Sequence, residues 1–540
     1  MFINTLQAQE KTFPISVNGS VQSDILFPQE DTDIGAMDYD EAALTNTYMD
    51  LNLLSTYVNA GARFEFLKYP LPGFEPDFAG WGVPYMYITG NYKTLKLTVG
   101  DFYDQFGSGF IFRTYQERSL GVDNALRGAR LVFEPVKGVH LKALGGQQRR
   151  YFEHNDGYVL GGDIEFNIDQ WFSKMQESNT YLMLGGSFVT KHEDDEIITT
   201  DPLHKLNLPQ DVGAFDVRAR LQKGSYNFLV EYAMKANDPS FDNGYIYKNG
   251  TALLFSGSYS QRGISVLMQA KRSDNMSFRS KRSQTLTSSF INHLPAFSMQ
   301  HTYALAALYP YATQPDGEWA YQGTLAYSFK RNTALGGKYG TSVKLNVSHI
   351  RSIDKQYVID DYDATKKSQL RGTDGYTSSF FKTGELYYQD ININIDKKFT
   401  QDFKLNLMYM NQKFNQWIVQ GHNDMVNSNI FIVEGKYQVS KKVTLRTELQ
   451  YLSTKNDEGD WLYGLFEVSL LPSFMFTVSD MYNAGVSDLH YYKGVITFTH
   501  KSHLLQAGYG RTRAGYDCSG GICRMVPASK GFQVTYNYNF

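Results

Sequence analysis

The stretch Val443-Thr444-Leu445-Arg446-Thr447-Glu448-Leu449-Gln450-Tyr451 sets Val443, Leu445, Thr447, Leu449 and Tyr451 on one face and Thr444, Arg446, Glu448 and Gln450 on the other. A period of two is that of an extended strand, whose successive side chains point to opposite faces. One face carries full charges, so a buried strand of a parallel sheet is excluded and a strand between two unlike environments is implied. Ser440-Lys441-Lys442 before it reads as a short turn.

The same alternation recurs in both directions along the chain. Phe403, Leu405, Leu407 and Tyr409 alternate with Lys404 and Asn406, and Ile391, Ile393 and Ile395 with Asp390, Asn392, Asn394 and Asp396. Val343, Leu345 and Val347 alternate with Lys344, Asn346 and Ser348. Phe215, Val217, Ala219 and Leu221 alternate with Asp216, Arg218, Arg220 and Gln222, and Tyr226, Phe228, Val230 and Tyr232 follow a short turn. No stretch of three helical turns appears. The 540 residues include 39 Tyr and 36 Phe but only 15 Pro, and 20% are charged, below the roughly 25% of soluble domains. No apolar run reaches the roughly 18 residues of a membrane helix. A net charge of −3 gives no reason to expect a nucleic-acid partner.

Connections separate the remaining all-β classes. The short ones include Lys137-Gly138, Lys223-Gly224-Ser225, Gln261-Arg262-Gly263, Pro472-Ser473 and Lys501-Ser502; the long ones run about 192–211, 237–249, 275–316, 353–382, 414–426 and 514–528. Short and long alternate, which is the signature of a transmembrane barrel with tight turns at one mouth and long loops at the other. A propeller would repeat every 40–50 residues or so, and no such repeat is present. The expected fold is therefore a single-chain, all-β, antiparallel transmembrane barrel of about 24 strands, within a range of 20 to 26. Short turns would be periplasmic, long loops extracellular, and both termini periplasmic, with outer-membrane lipid around the wall. Residues 1–8, ending Leu6-Gln7-Ala8, read either as a remnant of a signal peptide or as a frayed terminus, and 9–540 as one barrel domain. With alternation by Ile15, the plug domain of an energy-coupled receptor is not expected.

The chain closes Gly531-Phe532-Gln533-Val534-Thr535-Tyr536-Asn537-Tyr538-Asn539-Phe540, with Phe532, Val534, Tyr536, Tyr538 and Phe540 on one face. This resembles the C-terminal recognition signal of bacterial outer-membrane barrels, which implies the β-barrel assembly machinery as a partner during biogenesis, bound by strand addition. Two further stretches, Gly100-Asp101-Phe102-Tyr103-Asp104-Gln105-Phe106-Gly107-Ser108-Gly109 with its continuation to Ala129, and Cys518-Ser519-Gly520-Gly521-Ile522-Cys523-Arg524-Met525-Val526-Pro527, resemble an uncharacterised family of porin-like outer-membrane barrels from Bacteroidota. The resemblance implies a fold and a location and brings no activity or site residues.

Residues 101–130 break the alternation. Arg113, Glu117, Arg118, Asp123, Arg127 and Arg130 form either a lumen-facing constriction that sets ion preference or an Arg–carboxylate network that braces the barrel. Cys518 and Cys523 are expected to pair in the oxidising envelope, since a zinc site would need ligands that are not nearby. The acidic loop runs lack Ca²⁺-loop spacing, and no nucleophile elbow, phosphate loop or metal-histidine motif is present. The chain is expected to be no enzyme, with neither metal nor cofactor. Inward charges of mixed sign (Arg218, Arg220, Glu231, Lys235, Lys271, Lys344, Lys404, Arg446, Glu448) suit a weakly selective lumen or one knitted closed by ion pairs. Two functions follow: a porin-like channel for small polar solutes, narrowed by 101–130, or a non-conducting structural or assembly subunit that binds an envelope partner through its long loops or wall. Arg279, Lys281 and Arg282 beside Phe290, Leu294 and Phe297 suit either an interface or a loop folded into the mouth.

Overall fold

The computed structural model describes residues 15–363 and 366–540, so the expected signal remnant lies outside the described residues. Twenty-four strands form one antiparallel sheet. The first strand, β1 (Ser16–Pro28), pairs with β2 (Leu44–Leu54) on one edge and with the last, β24 (Ser529–Asn539), on the other, so the sheet closes into a barrel. Closure removes the free edge that would otherwise template aggregation. At the seam, Ser20 pairs with Asn539 and Pro28 with Gly531. The Thr535 hydroxyl donates to Asp24 at 2.7 Å on the inner face, while the Phe27 and Phe532 rings meet at 6.2 Å on the outer one. A slip by one residue would exchange the two faces and break both contacts.

The alternation resolves as the sequence implies. Leu51, Leu97, Val217, Val230, Val433, Leu449, Val478 and Ile496 stand exposed on the outer face. A continuous apolar belt of this extent is unstable against water and stable against lipid tails. Aromatic pairs ring the short-turn mouth: Tyr226 with Tyr259 at 4.8 Å, Tyr327 with Phe329 at 4.9 Å and Phe474 with Phe498 at 5.0 Å between centroids. Such rings suit the polar–apolar boundary of a bilayer.

Three connections depart from strict short–long alternation. Tyr151 and Phe152 alone turn the chain at the long-loop mouth, where their rings pack with Tyr48, Leu67 and Phe78. At the short-turn mouth, 168–179 carries a helical turn (Ser173–Glu177), and 330–340 forms a small closed loop by hydrogen bonds such as Asn332 N–H to the Gly337 carbonyl at 2.7 Å. Part of the expected loop 353–382 is also extended: Thr341–Tyr357 and Tyr376–Lys398 pair from Thr341 as far as Tyr357, with register shifts after Ile350.

Candidate functional site: segments inserted into the lumen

The largest cluster of buried apolar residues lies inside the barrel. Phe106, Phe110, Ile111 and Phe112 from 103–125, and Phe278, Ile291, Phe297, Leu305 and Tyr309 from 275–316, pack on inner-wall residues such as Val159, Ala233, Ala320, Ile350, Met410 and Leu452. The inserted segments reach from Val159 and Ala233 on one side of the wall to Met410 and Leu452 on the other.

Segment 103–125 begins as a hairpin, with Phe106 N–H donating to Phe112 carbonyl at 3.1 Å. Gly107 at its tip has φ +50°, and a Cβ there would meet a Glu231 carboxylate oxygen at 2.6 Å. Glycine thus permits the approach by which Ser108 N–H and hydroxyl donate to Glu231 at 3.0 and 2.7 Å. The second segment is stitched to the first: Arg113 N–H donates to Ile291 carbonyl at 2.8 Å, His293 N–H to Gly109 carbonyl at 2.9 Å, and the Asn292 amide to Phe110 carbonyl at 2.9 Å. Three fully buried wall lysines hold it further, Lys191, Lys235 and Lys271, which donate to the carbonyls of Arg279 (2.8 Å), Ser277 (2.5 Å) and Pro295 (2.6 Å). Across the lumen, Leu305 N–H donates to Gln450 at 2.8 Å and Tyr303 hydroxyl to Asn406 at 3.1 Å. Arg279, Arg282 and Phe297 are consequently buried, which favours the folded-in alternative over the outer interface for this loop.

Carboxylates and guanidiniums tie 103–125 to the wall. Asp123 accepts from Arg63 at 2.9 Å, Arg149 at 2.6 Å and the Tyr103 hydroxyl at 2.9 Å. Arg149 also donates to Glu65 at 2.7 Å, and Asp50 accepts from Arg63 at 2.8 Å and Arg118 at 2.6 Å. Burial, with Asp123 adding to it, pushes the Tyr103 phenol well above its ordinary range, so it stays a neutral donor. Burial and then the charges of Arg113 and Lys271 press His293 down to about 3, so the ring is neutral at pH 7.

The sequence-picked residues thus have separate places. Arg118 and Asp123 belong to the buried network. Arg130 pairs with Asp104, which Lys142 also contacts at 2.8 Å. Arg113 lies over the Tyr115 ring at 4.5 Å. Glu117 caps the helical turn Arg118–Leu120, accepting from Ser119 hydroxyl at 2.8 Å. Arg127 is a correction: it alternates with the inward Leu126 and Arg130, so it faces away from the lumen, paired with Asp101 at 2.8 Å. Its even–odd position carried that signal. Cys518 and Cys523 form a disulfide inside the hairpin Gly515–Ser519 and Ile522–Val526. This hairpin leans on the inserted segment, with Thr313 N–H donating to Gly521 carbonyl at 2.9 Å. Phe532, Val534, Tyr536 and Tyr538 follow the lipid-facing parity of the last strand, and Phe540 exchanges two backbone hydrogen bonds of 3.0 Å with Gly19. Lys191, missed in the sequence, is on an inward position of an alternating strand, but nothing local marks it as a tether.

Against the seam wall the lumen is less filled. A cavity of about 400 Å³ lies between the wall (Gln22, Asp24, Lys493, Gln533, Thr535) and Arg118, Phe74 and Arg524. Among the described residues no cluster of His, Cys, Asp and Glu fits a metal ion.

The fold is a closed antiparallel barrel of 24 strands. Similar solved structures include the siderophore receptor PirA from Pseudomonas aeruginosa (9% identity, 97% of this chain and 80% of that chain, TM-score 0.43). The P pilus usher (PapC) translocation pore is similar over 98% of this chain and 99% of that chain, at 9% identity and TM-score 0.42. OccAB3 from Acinetobacter baumannii is similar over 97% and 99%, at 10% identity and TM-score 0.35. Likeness at this level does not reach what this chain binds or moves. No curated protein matches the sequence. A family model matches residues 1–540 in full, and the chain belongs to DUF6029, a family of unknown function.

Proposed function

We propose that this chain is a restrictive porin-like channel of the outer membrane, with its termini and short turns in the periplasm. The resemblance to Bacteroidota barrels supports an envelope of that kind, and the aromatic last strand supports delivery by the barrel assembly machinery. One observation carries the channel reading: the inserted segments pack apolar residues across the lumen, yet leave a cavity of about 400 Å³ beside the seam, lined by both polar and apolar side chains. Small polar solutes would pass there, between Asp24, Gln533 and Thr535 on the wall and Arg118 and Arg524 on the inserts. Without the inserts a barrel of this strand number would be a wide hole. The role is transport and needs no catalytic residue.

Purified protein in a planar bilayer tests this. Small, discrete conductance steps are expected, enlarged in Arg524→Ala, which trims the cavity wall without touching the buried network. Silence of both proteins at any voltage refutes the channel. A second reading, a non-conducting platform for an envelope partner, is favoured by the wall-to-wall core formed by Phe106, Phe112, Phe278 and Leu452. A near-stoichiometric partner after mild detergent extraction, together with absent conductance, would establish it.

A further inference from the structure

At the long-loop mouth, away from the seam cavity, four parts of the chain converge on a second cavity of about 290 Å³. They are the connection 236–249, the end of segment 275–316, the extended hairpin Thr341–Tyr357 and Tyr376–Lys398 with its tip, and the short helix Gln416–Gln420. Its lining is aromatic and cationic. The Tyr357 and Tyr362 rings lie 4.2 Å apart and Tyr376 5.8 Å from Tyr357, while Trp417 lines the same space and is half exposed.

The charges do not balance. Lys367 is taken by Asp316, at 2.5 Å. Asp274, the other carboxylate at this place, is used by Arg272 at 3.3 Å and by the hydroxyls of Tyr376 and Ser378 at 2.7 and 2.5 Å. Lys355 lies over the Tyr376 ring at 4.3 Å, and Lys248 lies over it at 4.6 Å. Among the described residues no carboxylate comes within 4.0 Å of the Lys355 ammonium. Asp316 and Asp274 act on this ammonium only at longer range, and its direct contact is a ring face; a charged acceptor adds to that, because a charge-assisted hydrogen bond is stronger than a cation–π contact. Each amide at the cavity already has a partner: Asn243 donates to Asp238 carbonyl at 3.0 Å, Asn275 to Lys248 carbonyl at 2.6 Å and Gln314 to Ala312 carbonyl at 2.9 Å. Of the two lysines over Tyr376 only Lys355 lines the cavity, so the free recognition chemistry there is one cation and several aromatic faces, in a space at the small end of ligand pockets.

We propose that this cavity binds a small monocarboxylate carrying a ring, with its carboxylate on Lys355 and its ring against Tyr357, Tyr362 and Trp417. The ring could be aromatic or that of a sugar acid, since both present a face to tyrosine and tryptophan. The site is independent of whether the lumen conducts, because it is read by binding alone.

Titration calorimetry on the full detergent-solubilised chain, with benzoate and glucuronate as acids and benzamide and glucose as neutral counterparts, tests it. Saturable binding of one acid is expected, with its neutral counterpart weaker by about tenfold or more. Which acid binds distinguishes the two ring sources. Lys355→Met should weaken binding by about tenfold or more while the barrel keeps its heat-modifiable migration. Binding should also quench tryptophan fluorescence, and the quench should vanish in Trp417→Phe. The proposal is overturned if neither acid saturates, if the neutral compounds bind as well, if Lys355→Met binds unchanged, or if the quench survives in Trp417→Phe.

Discussion

Replacing Asp123 by alanine should release segment 103–125 from the wall without unfolding the barrel. The Asp123 side chain is 6% exposed and accepts from Arg63, Arg149 and Tyr103. Its network is neutral as built: Arg63, Arg118 and Arg149 stand against Asp50, Glu65 and Asp123. Alanine leaves one buried positive charge unmatched. Removing one partner of a buried pair costs about 3–5 kcal/mol, roughly two to nearly four powers of ten in the population of the opened segment. The barrel's strand ladders do not pass through Asp123, which pairs only with Gln116 inside the insert, so the cost falls on the insert. Amide hydrogen exchange read by mass spectrometry should show peptides within 103–125 exchanging faster by about that factor, with Val443–Thr454 unchanged. Replacing opposite charges together, Asp123→Leu with Arg149→Met, restores neutrality and should recover most of the protection. The reasoning fails if Asp123→Ala changes exchange by less than about tenfold, or if the double variant is as open as the single one.

Acidification should loosen the inserts through His293. Its folded pKa of about 3 lies below its unfolded value, so the opened state takes up a proton first and stability is lost as pH falls from about 6.5 towards 3. At pH 5 the loss is about 2 kcal/mol, visible as faster exchange in 275–316 and abolished in His293→Phe. Reducing the Cys518–Cys523 bridge should cost its short hairpin about 2 kcal/mol, checked as faster proteolysis of 513–528 with barrel migration unchanged. Phe540→Ala should lower the yield of heat-modifiable barrel severalfold in cells, while protein already folded keeps its thermal stability; equal yield would remove Phe540 from the assembly signal.

The even–odd pattern of Val443–Tyr451 and its counterparts was enough to fix strands, their faces and the barrel, because in a two-solvent environment each position answers to lipid or lumen independently of its neighbours in space. The same parity separates Arg127 on the outer face from Arg130 on the inner one, a signal overlooked when both were set among the lumen candidates, and Cys518 and Cys523 were close enough along the chain to be paired. What fills the lumen could not be read that way. Asp123 meets Arg63 and Arg149, and Ser108 meets Glu231, across sequence separations of 26 to 123 residues. The loop composition around Arg279 and Phe297 fitted an outer interface as well as a folded insert. Only the tertiary structure decided between them, because a buried lysine such as Lys235 becomes a tether when the Ser277 carbonyl is brought to it. Likewise, no local pattern gathers Lys355, Tyr362 and Trp417, since long loops at one mouth are placed by closure of the whole sheet.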